Sequence, residues 1–508
     1  MTGFLDGGGI DEVSSSVDTG DIGHSLRLRG AQYLSKTITT DATSTFYFIV
    51  KRGKLGVISP IVESYLKFNA NDTFTAFGLT TTAVFRDPTA FILIHVSNGG
   101  LYVDGTYLGA VTTSAITNGR IGFDGTNYFD GYLARFCVVG GTSSSYTNFK
   151  YLNTQSNEWV TKAQSQVKAV VDAGSANSFM LDFDNGTSLT TLGYDKSSKG
   201  NNWTLNNFSL TSGANYDWME DTPSNNYATL NPLDKTSSVT VSDGNLSATC
   251  GSSPHNIFST EVLPNTGKFY AEFVSSTATN GTIGIGFGIS APSVLPTADY
   301  NSAGKYSFYS SAAAYTINNG TLTGVTGYTN TAGLTFRLAV DVDAGKVWLG
   351  QGSVWWDSSG GTTGDPETGA NPTFSLSVAG YKMFCHFNSP ISFNWTANFG
   401  QRPYADQLVG FDPLCTANLS YSGTVTLSGS FTGNASADGP SVWMNGVPDT
   451  LTINGNAVTF GTHADKTAGG FKLRTSSASY NASGTNTWTA TITSDLKNLF
   501  KYNNAQVN

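Results

Sequence analysis

Residues 334–350 read Leu334-Thr335-Phe336-Arg337-Leu338-Ala339-Val340-Asp341, turn at Asp343-Ala344-Gly345, and return as Lys346-Val347-Trp348-Leu349-Gly350. Apolar side chains recur at alternate positions on both arms, which gathers them on one face of an antiparallel hairpin. Three further stretches fit the same sheet-forming pattern. Phe269, Ala271 and Phe273 share one side of a strand in Gly267-Lys268-Phe269-Tyr270-Ala271-Glu272-Phe273-Val274. Ile283-Gly284-Ile285-Gly286-Phe287-Gly288-Ile289 puts apolar side chains on one face and bare glycine on the other. Glycine weakens a strand, so this row signals close backbone approach, a bulge or a tight bend. The last stretch is Asn398-Phe399-Gly400-Gln401-Arg402-Pro403-Tyr404.

In this order and spacing the four segments resemble a SPRY domain, a β-sandwich marked by a "GKxYxEV"-like strand, a "GVxxDxxxGKVWF"-like hairpin and a closing "NFGQRPF"-like strand. The resemblance covers residues 239–415, and the form "NFGQRPY" is similar to that of virion proteins of tailed bacteriophages. SPRY domains bind partners and do not catalyse reactions, so the resemblance implies a binding module.

At 508 residues the chain is too long for one core and predicts about three domains. Charged residues make up 12%, about half the usual share, and with 57 glycines and 12% aromatics they describe turn-rich sandwiches, not a disordered chain. The net charge of −9, without a Lys/Arg cluster, argues against nucleic acid, whose binding depends on phosphate neutralisation. Cys137, Cys250, Cys385 and Cys415 lack metal-type spacing and read as small buried hydrophobes, although Cys385 and Cys415 could approach one another. No signal-peptide pattern opens the chain and no stretch approaches the ~18 apolar residues of a membrane span. The expectation is a protein made in the cytoplasm, without membrane insertion.

Residues 1–24, rich in glycine, serine and aspartate, read as a flexible segment, either a frayed end or an attachment peptide that orders on docking. Between residues 26 and 139 strands follow one another. They include Phe46-Tyr47-Phe48-Ile49-Val50 and the Asp104-Gly105 turn between two alternating arms, a strong hairpin signal. "LYVDGTYLG" followed by "FDGYLARFCVVGG" resembles the concanavalin A-like, laminin-G-like jelly roll. That family contains lectins, glucanases and structural modules; the closely spaced acidic array of its glucanases is absent. Some members bind Ca²⁺ through loop carboxylates, for which Asp124 and Asp130 are candidates, but two aspartates do not make the converging oxygen set a hard cation needs, and solvated turn residues explain them as well.

The connecting region carries one helix, about residues 157–173, stopped by Gly174. Its asparagine-rich turn, Asn201-Asn202-Trp203-Thr204-Leu205-Asn206-Asn207-Phe208, and the later Tyr227-Ala228-Thr229-Leu230-Asn231-Pro232-Leu233 resemble the "NNWTxNNF…YxTLNPL" connector of phage virion proteins, which joins a laminin-G-like domain to a SPRY-like one. Trp203, Phe208, Trp218 and Tyr227 are expected to anchor this segment to the flanking sandwiches and stiffen it. After Leu419, short alternating segments with an Asn454-Gly455 turn predict a small antiparallel sandwich, and residues 494–500 a short helix that covers its own sandwich or a neighbouring subunit.

The expected fold is therefore all-β: a flexible attachment segment over 1–24, a jelly roll over 25–142, an irregular connector over 143–238, a SPRY-like sandwich over 239–418 and a C-terminal β-sandwich over 419–508.

Catalytic signatures are missing. The five histidines sit in unrelated contexts, and no G-x-S-x-G elbow, H-x-x-x-H or C-x-x-C occurs. Asp341 and Asp343 flank a tight turn that explains them. The pattern Gly284-x-Gly286-x-Gly288 lies within a strand and lacks dinucleotide spacing. No catalytic residue, metal or cofactor is expected. The candidate ligand-binding residues are Trp355, Trp356 and Asp357, ahead of a polar loop through Gly364, Asp365, Pro366 and Glu367. Adjacent tryptophans on a strand point to opposite faces. Either one is exposed as a flat platform for a sugar, or one packs in the core and the other lies under the loop.

These readings and resemblances imply a structural virion protein of a tailed phage, a tail fibre or receptor-binding appendage contacting a host cell-surface glycan or protein. The alternatives are a capsid decoration or head-fibre protein and a polysaccharide-degrading tailspike. The expected partners are other virion proteins and the host receptor. A homo-oligomer fits such appendages, but no heptad or β-helical repeat demands a trimer.

Overall fold

The computed structural model describes residues 22–117, 119–153, 158–251, 254–279, 283–388 and 392–419, and six stretches beyond them: 424–432, 441–443, 450–457, 464–467, 470–473 and 485–493. The expected attachment segment (apart from residues 22–24) and the expected helix at 494–500 lie outside the described residues.

The first sandwich closes two antiparallel sheets over one core. One sheet runs Thr106–Gly109, Gly100–Val103, Phe91–Ser97, Ser44–Arg52, Asp130–Gly140, Ser25–Arg29 and Trp218–Met219. The other runs Thr204–Asn206, Tyr33–Ser35, Arg120–Ile121, Ser59–Val62, Leu66–Phe68, Thr73–Ala76 and Leu79–Val84. Period-2 alternation sends Phe46, Phe48, Val50, Ile94, Val96 and Leu133 inward against Leu34, Phe68, Phe74 and Ile121.

The stretch read as an irregular connector completes this sandwich. Phe179–Leu181 extends the sheet along Asp130–Gly140, Thr204–Asn206 pairs with Tyr33–Ser35, and Trp218–Met219 pairs with Ser25–Arg29. Trp203 and Phe208 fill the first core, and the Trp218 indole donates to the Phe183 carbonyl at 2.8 Å. The helix is shorter than its sequence suggested, Gln164–Asp172, with Val167 and Val171 buried. Its expected first turn is instead the strand Glu158–Thr161, because Trp159 and Val160 pair with Leu152 and Tyr151 of Lys150–Asn153.

The second sandwich has one sheet in the order Leu230–Lys235, His255–Val262, Lys382–Asn388, Gly284–Ser290, Lys305–Ser310, Ala314–Asn318, Thr321–Gly324. Its partner sheet runs Thr240–Ser242, Ser247–Cys250, Phe393–Asn398, Lys268–Ser275, Thr335–Asp341, Lys346–Gln351, Val354–Trp356. The expected hairpin forms with Asp341 opposite Lys346, and Phe269, Ala271, Phe273, Leu338, Val340 and Leu349 join the core between the sheets. The glycine row leaves room for neighbours: a Cβ at Gly284 would meet the Tyr309 hydroxyl at 2.3 Å, and one at Gly286 the His386 Cβ at 3.2 Å. All four cysteines are buried free thiols, so the Cys385–Cys415 pairing is not formed.

Residues 213–230 lace the two sandwiches together. Arg27 of the first donates to the Ala214 and Tyr216 carbonyls at 2.6 and 2.8 Å, while Arg402 of the second donates to the same Ala214 carbonyl at 2.8 Å. The Lys51 ammonium reaches Asp221 at 2.8 Å, Asn226 Oδ1 at 2.6 Å and the Tyr227 carbonyl at 3.1 Å, all buried. On the other side of this strap, Glu220 N donates to the Gln401 carbonyl at 2.9 Å, and Gln401 Nε2 to the Ala228 carbonyl at 3.0 Å. A turn of the second sandwich also docks directly on the first. The Gly244 and Asp243 amides donate to the Asp130 carboxylate at 2.9 and 3.1 Å, and the Tyr132 hydroxyl donates to the Gly244 carbonyl at 2.7 Å. Gly244 has φ +66°, and a Cβ there would stand 3.0 Å from the Tyr132 ring, so the contact requires glycine.

Asp130 is thus a buried joint residue and not a loop ligand for Ca²⁺. Burial pushes its carboxyl from the ordinary 3.8 up to about 6, against the amide hydrogen bonds that favour the anion. Because the folded-state value is the higher one, the folded state binds this proton more tightly. The associated stability is full below about pH 3.8 and is lost as pH rises to about 6. Relative to Asp130→Asn, the wild-type chain should lose roughly 3 kcal/mol of unfolding free energy across that window, measured by denaturant titration at several pH values. A flat difference between the two proteins would contradict it.

The described C-terminal strands form two antiparallel sheets: Thr424–Thr432, Thr485–Thr493, Thr450–Ile453, Asn456–Ala457, and Ser441–Trp443, Gly470–Leu473, Ala464–Thr467. Asn454 and Gly455 both have positive φ, as a type I′ hairpin turn requires. Among the described residues no helix is long and apolar enough to cross a membrane.

Candidate functional site

Val354–Trp356 is an outer strand paired with Lys346–Gln351. Alternation sends its two indoles to opposite faces, and both faces are covered. Trp356 is 0% exposed, stacked on Phe308 with centroids 4.8 Å apart, and its Nε1 donates to the Thr326 carbonyl at 2.9 Å. Trp355 is 8% exposed; the Arg337 guanidinium lies 4.3 Å from its ring centroid, and it packs with Tyr270, Trp348, Leu408 and Phe411. The cover over Trp355 is pinned by Glu272, which accepts from the Ala405 and Asp406 amides at 2.9 and 2.8 Å, and by Tyr404, which donates to the Tyr270 carbonyl at 2.9 Å. Neither indole offers a flat face to solvent, so the sugar-platform expectation at Trp355 and Trp356 is corrected: both are packing residues.

Asp357 has a different role. Its Oδ1 accepts from the Ser359 and Gly361 amides at 2.9 and 3.0 Å and from the Ser359 hydroxyl at 2.7 Å; its Oδ2 accepts from the Thr363 hydroxyl at 2.7 Å. The Ser359 and Thr363 hydroxyls, first among these, hold its carboxyl below the usual aspartate range. All this bonding shapes the loop, so Asp357 positions its neighbour Ser358.

Ser358 lies on a cleft of about 310 Å³ between this loop and the outermost hairpin of the opposite sheet. Thr316, Asn318, Thr321 and Thr323 line it from the hairpin. Thr316 stands opposite Thr323 and Asn318 opposite Thr321, so the four share one face. Asn319 (φ +49°) and Gly320 (φ +93°) make the tight turn between the two strands. Thr373 and Phe374 line the remaining side; the Thr373 hydroxyl donates to the Trp356 carbonyl at 2.5 Å, tying that wall to the core. Every polar side chain of the lining is a hydroxyl or an amide, and none titrates near neutral pH. Such a lining can donate and accept hydrogen bonds but offers neither a general base nor an ionic clamp. Sequence reading missed these residues because Thr and Asn on an alternating hairpin carry no chemical signature; the Asn319-Gly320 pair is the one local signal that could have marked the hairpin.

Elsewhere two buried histidines are held by an amide and a main-chain carbonyl. His386 Nδ1 pairs with Asn256 Oδ1 at 2.8 Å and His95 Nε2 with the Ser144 carbonyl at 2.9 Å; burial, first among the causes, lowers both rings' pKa, His95 to about 3. Among the described residues no histidine ring is hydrogen-bonded to a hydroxyl or thiol. Asp124 accepts from the Thr126 and Asn127 amides at 2.9 and 2.7 Å, as a turn residue does. Among the described residues no group of three His, Cys, Asp or Glu side chains is placed to hold a metal ion.

No family model matches the chain, and no curated protein matches it. Among solved structures, the chain is similar to the crystal structure of the SPRY domain of human HERC1, at 15% identity over 34% of this chain and 99% of that one, with a TM-score of 0.26.

Proposed function

We propose that this chain is a non-enzymatic structural protein of a tailed-phage particle, a tail fibre or receptor-binding appendage that contacts a host cell-surface glycan. The observation that carries the recognition part is the cleft between the hairpin strands Ala314–Asn318 and Thr321–Gly324 and the Asp357 loop, an uncharged concavity of hydroxyls and amides. A polyhydroxylated, uncharged ligand is matched by such groups without the desolvation cost of burying a charge. The stiff joint supports a display role, because it holds two sandwiches in one fixed relation. The phage assignment is supported by the order of the laminin-G-like, connector and SPRY-like sequence resemblances.

The test uses the purified full chain and an array of bacterial lipopolysaccharide and capsule oligosaccharides. We expect retention of at least one glycan, no fall in the mass of the corresponding polymer on incubation, and at least tenfold weaker binding by Thr321→Arg. Thr321 is exposed at the sheet edge, so this substitution should alter stability by no more than about 0.5 kcal/mol. A falling polymer mass would make the protein a depolymerase, and undiminished binding by Thr321→Arg would remove the cleft from the reading.

A further inference from the structure

On the outer face of the first sandwich four aromatic rings from three separate parts of the chain meet at the tip of the Asp104-Gly105 hairpin. Tyr102 and Tyr107 come from the two arms of that hairpin, Tyr146 from the single-turn helix Tyr146–Asn148, and Trp159 from the strand Glu158–Thr161. Tyr102 stacks on Tyr146 with centroids 4.5 Å apart and planes 27° apart; Tyr107 is 5.2 Å from Tyr102, and Trp159 is 5.4 Å from Tyr146. The rings form a continuous row, and all keep surface in solvent, Tyr107 being 51% exposed. Leu152, directly across from Trp159, is 40% exposed at the end of the row.

The row is rigidly seated. Lys150 lies beneath it, its ammonium 5.9 and 5.8 Å from the Tyr146 and Trp159 centroids and donating to the Leu93 carbonyl at 3.2 Å. Asp104 is turned inward, accepting from the Leu93 amide at 2.8 Å. Trp159 lies on the backbone of Gly105, where a Cβ would come within 2.0 Å of the indole, and Gly105 itself has φ +76°. Glycine is required there both for its conformation and for the ring above it. A core built for stability would bury these rings; here the fold spends close packing and a buried cation on holding them partly exposed.

We propose that this row is a second glycan-binding site, independent of the cleft, which takes a neutral pyranose chain by stacking. The exposed Tyr107 and the solvent-accessible parts of the other three rings offer apolar surface to a sugar's C–H groups and phenolic hydroxyls to its hydroxyls, the amphipathic combination that suits Tyr and Trp to wet interfaces. Charge selects among partners. The Lys150 ammonium is buried under the rings and the Asp104 carboxylate accepts from the Leu93 amide, so both of these charges are engaged within the protein and a neutral partner fits the row better than a polyanion or a basic peptide. The inference rests on reading the protein as glycan-binding, and it adds a second point of attachment on the same rigid body, which raises avidity for a repeating polymer.

The test is calorimetric titration of the full chain with neutral hexasaccharides of glucose, galactose, mannose and N-acetylglucosamine, comparing wild type with Tyr107→Ala, Tyr107→Ala/Tyr146→Ala and Thr321→Arg. At least one hexasaccharide should bind at least tenfold more weakly to the double variant and measurably more weakly to Tyr107→Ala, whose half-exposed ring can be removed without unfolding the sandwich. In Thr321→Arg the Tyr107-dependent part of that binding should persist, whatever part the cleft contributes. Binding abolished by Thr321→Arg and untouched by Tyr107→Ala would overturn the second site while leaving the cleft. No binding of any hexasaccharide would overturn it as a neutral-glycan site, while the bacterial array still tests the cleft. A wild-type dimer that Tyr107→Ala dissociates in sedimentation would overturn it by assigning the row to self-association.

Discussion

Asp221→Ala should destabilise both sandwiches together by roughly 3–5 kcal/mol, the cost of leaving a buried cation without its partner. Lys51 enters the joint from the central strand of the first sandwich and meets Asp221 at 2.8 Å with both side chains at or below 1% exposure. The same carboxylate accepts from the Tyr227 amide at 3.1 Å, so the substitution removes that bond to the strap as well, while the bond from the Ser25 hydroxyl to the Asp221 main-chain carbonyl, 2.6 Å, is kept. By contrast Lys268–Asp341, with its lysine 42% exposed, should be worth no more than about 1 kcal/mol. Denaturant unfolding followed by Trp fluorescence and by near-ultraviolet dichroism measures both pairs. If the second sandwich unfolded at its wild-type midpoint in Asp221→Ala, the joint would not couple the two.

Trp356→Ala should cost roughly 3–5 kcal/mol, the range for removing a fully enclosed aromatic side chain. Its ring is parallel to Phe308 within 7° between the two sheets, and its indole N–H satisfies the Thr326 carbonyl, so the substitution leaves a void and an orphaned acceptor together. Trp355→Ala removes a ring from the smaller cluster beneath residues 404–411 and should cost less. Thermal unfolding of the two variants orders them; a Trp356→Ala protein that melts within a few degrees of wild type would contradict the packing described. These substitutions therefore probe the sandwich and not a binding surface.

Much of the second sandwich was legible because its signals are local. The arms around Asp343-Ala344-Gly345 alternate and turn within one short span, and the structure pairs them with Asp341 opposite Lys346. Period two also put Trp355 and Trp356 correctly on opposite faces. What it could not supply is the cover over the outer face, because that cover comes from residues 404–411, distant in the chain and pinned by Tyr270 and Glu272. The helix boundary was misread for a related reason: Trp159 and Val160 suit a helix's apolar side, but a hairpin with Tyr151 and Leu152 claims them. Asp130 looked like a loop carboxylate because its two amide donors lie more than a hundred residues away. The aromatic row at Tyr102, Tyr107, Tyr146 and Trp159 was hidden likewise, since its members share no local period.

The strands Thr204–Asn206 and Trp218–Met219 have a consequence for synthesis. Each pairs with a strand from the first few dozen residues, Tyr33–Ser35 and Ser25–Arg29, and Trp203 and Phe208 fill the core between them. A nascent chain that has emerged only as far as Gly140 therefore exposes two open sheet edges and an unfilled interior. At about 5–20 residues per second, the ribosome must work for several more seconds before the N-terminal half can close, which makes that interval the one in which a chaperone would be needed.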